Sequence, residues 1–323
     1  MLEPKQIKIC LLTVIALFIL IFPYLFPKYL IHIGIYIAIN SIAVLGLGVL
    51  GSSGQISLSQ AAFYGIGAYT SSLLAVNFHV PFWFGIIAAA LLAGAAGFII
   101  GLPTIRVTGL YLVMITLGVN EIVWLCMMNL IPLTGGPQGV ILIPPPEIAG
   151  FIIDSARSYY YLVICFLVFF IILTHRIFKS RLGMYFQALS TSEIAAAMVG
   201  LDVVGSKVIA FIISALWGGV AGSLYAHYIG YIHPDNFQLD ISVLFLTMAV
   251  FGGQSSVMGM LLSTLILTIS TEYLRNIGEY RMVAYGLLLL VGMIYMPSGV
   301  GPYLNRLTLS IQYRIQKAVF KES

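Results

Sequence analysis

The sequence predicts an all-α, polytopic membrane protein of roughly ten transmembrane helices, with broken helices near mid-membrane. Three observations lead to this prediction. Of the 323 residues, 60% are hydrophobic and 8% are charged, whereas soluble proteins carry about 25% charged residues. Apolar stretches of about 20 residues, long enough to span a membrane as a helix, recur along the chain. Polar, glycine-rich segments lie between some of these stretches, at depths where lipid is expected.

The apolar stretches define the predicted spans. Their centres lie near Ala16, Ile39, Ser71, Ala90, Thr116, Leu167, Ser214, Leu246, Leu265 and Leu288. The first stretch follows Lys5 and Lys8 as a signal sequence would, but it ends without a small-residue cleavage site, so we expect it to be retained. Residues 1–302 form the predicted transmembrane domain, and residues 303–323 form a basic amphipathic tail in the cytoplasm.

The positive charges predict the orientation of these spans. If the N-terminus is cytoplasmic, eleven of the 15 lysine and arginine residues lie inside, and those left outside are Lys28, Arg157, Arg275 and Arg281. This distribution satisfies the positive-inside rule. It also places both termini in the cytoplasm, as an even number of spans requires.

The first interruption covers residues 52–70, where glycines accompany Gln55, Ser57 and Ser59. Unpaired backbone groups are costly in hydrocarbon, so this segment must be buried in protein or face water. Broken helices of this kind are typical of transport pathways, and the three polar side chains are therefore candidate lining residues. The alternative is that the glycines only allow helices to pack closely.

A second Gly-Gln element occurs at residues 252–256 and contains Gln254. Breaks in both halves of a membrane protein suggest an internal repeat with the pathway between the halves. Gln254 is therefore a further candidate lining residue.

Glu121 lies about a dozen residues into an apolar stretch, and so near mid-membrane. A carboxylate at that depth must be protonated, paired or facing water. Thr116 and Asn120 are four residues apart and share a helix face beside Glu121. This polar flank is either a hydrogen-bonded clamp that holds the bundle together or part of the pathway, and the sequence leaves both roles open.

The longest predicted cytoplasmic segment covers residues 176–205. Ser190 followed by Glu193 predicts a capping box at a helix start, the alanines that follow favour helix, and Gly200 suits the left-handed position just past the end. A short, firmly capped helix between two spans is suited to docking into a groove of another protein.

The sequence lacks the residue patterns that ATP hydrolysis, metal binding, nucleophilic catalysis or nucleic-acid binding would require. Ser206 separates Gly205 from Lys207, where a phosphate-binding loop requires the lysine directly after the glycine. The five histidines lack metal-ligand spacing, and no nucleophile with its base can be argued. A nucleic-acid partner would need a far more basic soluble surface. We therefore expect no metal, no cofactor and no nucleic-acid partner for this chain, but a lipid membrane around it.

Several of these motifs occur together in one known family. The residues that carry the resemblance include Gly54-Gln55-Ile56-Ser57-Leu58, Gly109-Leu110-Tyr111, Thr116-Leu117-Gly118, Glu121-Ile122, Thr134-Gly135-Gly136, Ser180-Arg181-Leu182-Gly183, Glu193-Ile194-Ala195-Ala196, Ala221-Gly222-Ser223-Leu224-Tyr225 and Pro297-Ser298-Gly299. In this order the chain, from about Ile39 to Gly301, resembles the permease subunits of branched-chain amino-acid ABC importers, the LivH/LivM-like family. It departs from the usual pattern at Met184, Tyr185, Ser190 to Ser192 and Met296, and Ser59 replaces a frequent glycine.

The resemblance implies an ABC importer permease fold and one half of a membrane channel. Its implied partners are a second homologous permease, two cytoplasmic ATPase subunits that use ATP and magnesium, and an external or periplasmic solute-binding protein, all at the cytoplasmic (inner) membrane of a prokaryote. The implied ATPase-coupling residues are Ser190, Glu193, Ala196 and Gly200. The solute would be a branched-chain amino acid, with urea or short amides as alternatives. A self-sufficient channel or secondary transporter, with Glu121 as a proton site, is the alternative from another class.

Overall fold

The computed structural model describes residues 20–104, 107, 109–148, 150–274, 283, 286, 287 and 290. Within them the chain is mostly helical, in agreement with the predicted all-α class. The helices are α1 (Lys28–Ser52), α2 (Gln60–Phe78), α3 (Phe82–Thr104), α4 (Leu110–Asn129), α5 (Ile131–Thr134), α6 (Ala156–Lys179), α7 (Arg181–Thr191), α8 (Glu193–Met198), α9 (Val203–Ile229), α10 (Leu239–Gly252) and α11 (Val257–Leu274). The connections contain 3₁₀ turns at Gly136–Gln138 and Pro234–Phe237 and a two-stranded antiparallel pair, β1 (Glu147–Ile148) and β2 (Phe151–Ile152).

Among the described residues, five helices are long and apolar enough to cross a membrane, namely α1, α3, α4, α6 and α9. The chain is therefore a multi-pass membrane protein. The predicted spans around Ala16 and Leu288, and the predicted tail 303–323, lie outside the described residues. The total of ten spans stays a prediction.

The prediction of a complete span around Leu246 is wrong in detail. This residue lies in α10, which has 14 residues and is therefore about 21 Å long, shorter than the ~30 Å hydrocarbon core. The helix is short because the connection from α9 folds back into the bundle before α10 begins.

Of the five membrane-spanning helices, α1 and α9 are the most buried, and they run antiparallel through the bundle. Gly46 of α1 packs directly against Trp217 of α9, and nearer the start of α1, His32 packs beside Tyr228. Helix α9 also contacts α2 and α3 along its length. Because α1 and α9 are both almost wholly apolar and lie at the centre, the polar groups that they hold must be paired within the protein.

The first predicted interruption is a non-helical segment, residues 53–59, between α1 and α2. The Gln60 side chain, at the start of α2, donates to the Ala43 carbonyl over 2.8 Å and to the Ser214 carbonyl over 3.4 Å. Ala43 lies nine residues before the end of α1, or about 14 Å along the helix axis. The chain therefore leaves α1, re-enters the bundle and starts α2 near the middle of α1, which confirms a break at depth.

A second re-entrant segment, which the sequence reasoning missed, follows α9. Residues 230–238 fold back into the bundle, where Phe237 packs against Tyr64 of α2. The Ser242 hydroxyl, in the first turn of α10, accepts a hydrogen bond from the Ala61 backbone N–H over 2.9 Å. The first turns of α2 and α10 therefore meet at the same depth.

The Gly-Gln element at residues 252–256 lies elsewhere in the bundle. A Cβ atom placed on Gly51 would be 2.2 Å from the Gln254 side chain, so this element contacts the final turn of α1. The two predicted interruptions therefore meet at the final turn of α1, and a pathway between them stays a prediction. The second interruption lies near the C-terminal end of α1 and not near its middle. This is because α10 starts at the level of the middle of α1 and runs its full length toward that end.

Candidate functional site

A buried cluster of five side chains joins the first re-entrant segment to α4 and α10. We call it the polar junction; its members are Ser57, Ser59, Thr116, Asn120 and Ser242, each at most 1% exposed. The Ser57 and Ser59 hydroxyls share a hydrogen bond of 2.8 Å. The Leu58 N–H donates to Thr116 Oγ1 over 3.0 Å, and the Ser242 hydroxyl donates to Asn120 Oδ1 over 3.0 Å.

These bonds satisfy backbone groups that a broken helix leaves unpaired. The first N–H groups of a helix have no partner within it, and here the Ala61 N–H finds its acceptor on α10. Thr116 and Asn120 thus act as a clamp between helices, which confirms one of their two predicted roles. Because all five side chains are buried, the junction is closed in this conformation, and lining of a pathway by Ser57, Ser59, Thr116 and Asn120 stays a prediction.

One atom of the junction is left without a partner. Asn120 Nδ2 is buried and makes no hydrogen bond to any described residue. Glu121 follows Asn120 on α4 and is half-buried. Among the described residues, its carboxylate accepts no hydrogen bond and forms no ion pair. The clamp therefore rests on Thr116 and Asn120, while Glu121 lies outside the junction.

Replacing Thr116 with valine tests the clamp. The change keeps the shape but removes the acceptor for the Leu58 N–H, so we expect the free energy of unfolding to fall by about 1–3 kcal/mol. Thr70→Val is the matched control, because the Thr70 hydroxyl bonds the Ile66 carbonyl of its own helix. Thermal unfolding of the purified protein in detergent should separate the two variants, and equal stability of both would contradict the assignment.

Gln55 occupies the entrance to the first re-entrant segment. Its side chain is 4% exposed and donates to the Ser53 hydroxyl over 2.8 Å and to the Lys207 carbonyl of α9 over 3.4 Å. Its Oε1 atom has no hydrogen-bond partner among the described residues. Gln254 is half-buried and contacts Gly51 just before this segment. The structure thus brings both glutamines to the final turn of α1, away from the junction.

The segment between α6 and α9 is helical for most of its length, and the predicted capping box is wrong. Ser190 lies inside α7, where its hydroxyl donates to the Gln187 carbonyl. The N-cap of α8 is Ser192, whose hydroxyl accepts from the Ala195 N–H over 3.2 Å. Ser192 takes this role because its backbone is extended, as an N-cap requires, whereas Ser190 continues the preceding helix.

The predicted end of this short helix is confirmed. Gly200 has a left-handed backbone (φ +80°), its N–H donates to the Ala197 carbonyl, and the Leu201 N–H donates to the Ala196 carbonyl. This pair of bonds is a Schellman motif. Ala196 is buried, whereas Ile194, Met198 and Val199 are 72%, 82% and 75% exposed. The helix therefore presents three apolar side chains on its free side, which we call the α8 face.

An ion pair that the sequence reasoning missed connects α8 to α9. Glu193 Oε1 lies 2.6 Å from the Lys207 ammonium, and the side chains are 40% and 2% exposed, respectively. On the same side, Gly54 lies against Ser190, with its added Cβ 3.0 Å from the Ser190 Cα. Lys207 also holds Gln55 through its carbonyl. The α7–α8 segment is therefore attached to the entrance of the re-entrant segment at two points.

The structure also shows a polar groove between α1 and α11 that the sequence reasoning missed. We call it the α1–α11 groove, and its volume is about 380 Å³. It is lined by Tyr29, His32, Ile33, Tyr36, Asn40, Thr268, Thr271 and Glu272. The signal was present in the sequence, because Tyr29, His32, Tyr36 and Asn40 recur at helical spacing of three and four residues on an otherwise apolar stretch.

Comparisons with known proteins identify the relatives of this chain. The family model described as branched-chain amino acid transport system / permease component matches residues 29–296. The chain is 35% identical to the high-affinity branched-chain amino acid transport system permease protein LivM of Salmonella typhimurium, over 80% of this chain and 67% of that protein. It is 26% identical to the probable LivM of Methanocaldococcus jannaschii, over 67% of this chain and 68% of that protein.

Permease proteins named LivH are also similar to this chain. The permease protein LivH of Salmonella typhimurium is 27% identical, over 81% of this chain and 91% of that protein. In a search of the solved structures, none matches this chain significantly. Because the family model and the LivM proteins match most of its length, the chain belongs to the branched-chain amino acid ABC transporter permease family, of the LivM/LivH type.

Proposed function

We propose that this chain is one permease subunit of an ATP-driven importer that carries branched-chain amino acids across the cytoplasmic (inner) membrane of a prokaryote. A second permease of the same family would complete the channel, two cytoplasmic ATPase subunits would drive it, and an external binding protein would deliver the solute. Both termini would lie in the cytoplasm. The observation that carries the proposal is the α8 face, which is exposed and is attached through Glu193 and Lys207 to a re-entrant segment.

The α8 face is suited to docking a partner protein. Ile194, Met198 and Val199 form a compact apolar patch on a six-residue helix, and an apolar surface of this kind at the water-exposed end of a bundle favours burial against another chain. In the proposed orientation this end faces the cytoplasm, where the ATPase subunits lie. Ala196 and Gly200 would hold the helix in place rather than touch the partner, and Ser190 would act through Gly54.

Movement of α8 would be transmitted by rigid attachments. Pushing on α8 displaces Glu193 and therefore Lys207, whose carbonyl holds Gln55 at the start of residues 53–59. The polar junction would open when this segment shifts, so that Gln55, Ser57, Ser59, Thr116, Asn120 and Gln254 face the solute, with Glu121 alongside on α4. The result is alternating access without chemistry on the solute. Hydrolysis of ATP, with its magnesium ion, would take place in the partner subunits.

The alternatives differ in what they require. A permease for urea or short amides would use the same architecture, and solute selection would then rest mainly with the external binding protein. A self-sufficient channel or secondary transporter would need no partner, but membership of a permease family of ABC importers does not favour it.

ATP-dependent uptake by the assembled complex tests the proposal. We expect leucine uptake into proteoliposomes that hold both permeases and the ATPases, with the binding protein outside, and none by this chain alone. Ile194→Asp should reduce uptake and solute-stimulated ATP hydrolysis at least about tenfold, because a charge buried in the docking groove costs more than 1.4 kcal/mol.

Gln187→Glu is the matched control, since it adds one negative charge to the exposed surface of neighbouring α7 and should leave uptake intact. Uptake by this chain alone, or normal coupling in Ile194→Asp, would contradict the proposal.

A further inference from the structure

The α1–α11 groove has a composition that lipid does not favour. Polar side chains from both helices face each other along it, and one of them, Glu272, is a carboxylate. Ionisable side chains within membrane segments face the bundle interior or a water-filled cavity, because hydrocarbon penalises them by several kcal/mol. A groove lined in this way between two otherwise apolar helices is therefore expected to hold water.

The groove leads to the depth of the polar junction. It begins at Tyr29, one residue into α1, and its deep end is Asn40, whose amide Nδ2 lies 3.5 Å from Thr268 Oγ1. Asn40 lies within one turn of Ala43, the residue whose carbonyl holds Gln60 at the start of α2. The groove thus runs from one end of α1 to the level where α2 and α10 begin.

The groove is also large enough for a small solute. Its volume of about 380 Å³ lies within the range of ~300–1,000 Å³ that is typical of small-molecule sites. In the proposed orientation it opens on the external side, where the binding protein releases the solute.

The residues near the entrance match the charged end of an amino acid. The Tyr29 hydroxyl donates to Glu272 Oε1 over 3.2 Å, and a carboxylate accepts several donors at once. Tyr29 thereby places an aromatic ring beside this carboxylate, and aromatic faces attract ammonium groups. Tyr36 lines the groove about two turns deeper along α1. The His32 imidazole is held by the Tyr228 hydroxyl of α9, which fixes the wall of the groove on the α1 side.

We propose that the α1–α11 groove is the external half of the solute path, and that Glu272 with Tyr29 receives the α-ammonium group of the amino acid. The α-ammonium group is common to all amino acids, so this site would guide the solute without selecting its side chain. The binding must be weak, since a tightly held solute would not move on to the junction. This inference rests on the proposed import function.

Thiol labelling of the assembled complex tests the path. In a background with Cys10, Cys126 and Cys165 replaced by serine, Asn40→Cys and Thr268→Cys should react with a membrane-impermeant, cationic methanethiosulfonate added outside. Ile266→Cys is the matched control: Ile266 lies on the opposite side of α11 and is 53% exposed, against 7% for Thr268. It should not react, because a thiol in lipid does not ionise. Leucine with its binding protein should slow the reaction at positions 40 and 268.

A second measurement addresses Glu272. Loss of a charge-assisted hydrogen bond should raise the leucine concentration for half-maximal uptake about tenfold in Glu272→Gln, whereas Glu272→Asp, which keeps the charge, should stay near the wild-type value. Unreactive thiols at positions 40 and 268 in a complex that transports normally would overturn the inference and leave the proposed function standing. Cross-linking of these thiols to the second permease would also overturn it, because the groove would then be a helix interface. Absence of uptake by the wild-type complex would instead refute the proposed function.

Discussion

Gly222→Ala should prevent α2 and α9 from packing and should sharply reduce the amount of folded protein. A Cβ atom at position 222 would lie 1.8 Å from the Tyr64 carbonyl oxygen and 3.0 Å from the Ala68 nitrogen, both backbone atoms of α2. Backbone atoms cannot rotate away as a side chain does, so the two helices must separate. Overpacking of a core costs about 1–3 kcal/mol where side chains adjust, and we expect at least the upper end of that range.

Other glycines of α2 and α9 make the same close approach between these helices and extend it to α3. A Cβ on Gly67 of α2 would meet the Gly219 backbone at 2.1 Å, and a Cβ on Gly219 would meet Ala93 of α3 at 2.5 Å. Separating α2 from α9 therefore disturbs α3 as well. Because α2 begins at the polar junction, its displacement would also break the bond between the Ala61 N–H and Ser242.

Gly118→Ala is the matched control for this prediction. Gly118 lies in α4 and has no atom within 4 Å of an added Cβ, so alanine should be tolerated and should favour the helix by up to about 1 kcal/mol. The measurement is the yield and the thermal unfolding temperature of each purified variant in detergent. Equal stability of the two variants would mean that the close approach of α2 and α9 is not needed for folding.

Much of this fold could be predicted from the sequence because membranes impose simple rules. Apolar length predicted where most helices lie, and the rule that backbone groups in a membrane must be satisfied predicted that the break before α2 would be buried in protein or face water. The packing alternative for glycine is also confirmed at Gly65 and Gly67, where added Cβ atoms would meet neighbouring residues within 3 Å.

The features that were missed depend on contacts between distant parts of the chain. Nothing in the spacing of Glu193 and Lys207 predicts an ion pair, because the pair forms only when the chain turns at Gly200 between α8 and α9. The re-entrant path of residues 230–238 was missed because Phe237 and Ile232, both almost fully buried, read as part of an ordinary loop. The choice between Ser190 and Ser192 as N-cap depended on where α7 ends, which propensity does not determine to within two residues.

Glu193→Arg should uncouple ATP hydrolysis from solute uptake. The Lys207 side chain is 2% exposed and its ammonium group lies 2.6 Å from the Glu193 carboxylate, so the substitution leaves a buried cation facing a second positive charge. Removing one partner of a fully buried pair costs about 3–5 kcal/mol. We expect about 2–3 kcal/mol here, because the Glu193 side chain is 40% exposed and water screens its charge.

This energy would be released by movement of α8 away from α9, which breaks the attachment between the α8 face and Gln55. Leucine uptake by the assembled complex should therefore fall at least about tenfold, as expected for a loss above 1.4 kcal/mol. ATP hydrolysis without solute should continue, since the α8 face itself, with Ile194 and Met198, is unchanged. The predicted signature is hydrolysis that no longer responds to leucine and its binding protein.

A charge exchange distinguishes the ion pair from a general effect of altering α8. Glu193→Lys combined with Lys207→Glu restores opposite charges at the same two positions, and it should recover part of the uptake that either single change abolishes. The recovery will be incomplete, because a buried carboxylate at position 207 lacks the length of the lysine side chain. Full activity of Glu193→Arg, or a double variant no better than the single ones, would contradict transmission through the ion pair. Motion would then reach the re-entrant segment by another route, and the structure offers one in the contact between Gly54 and Ser190.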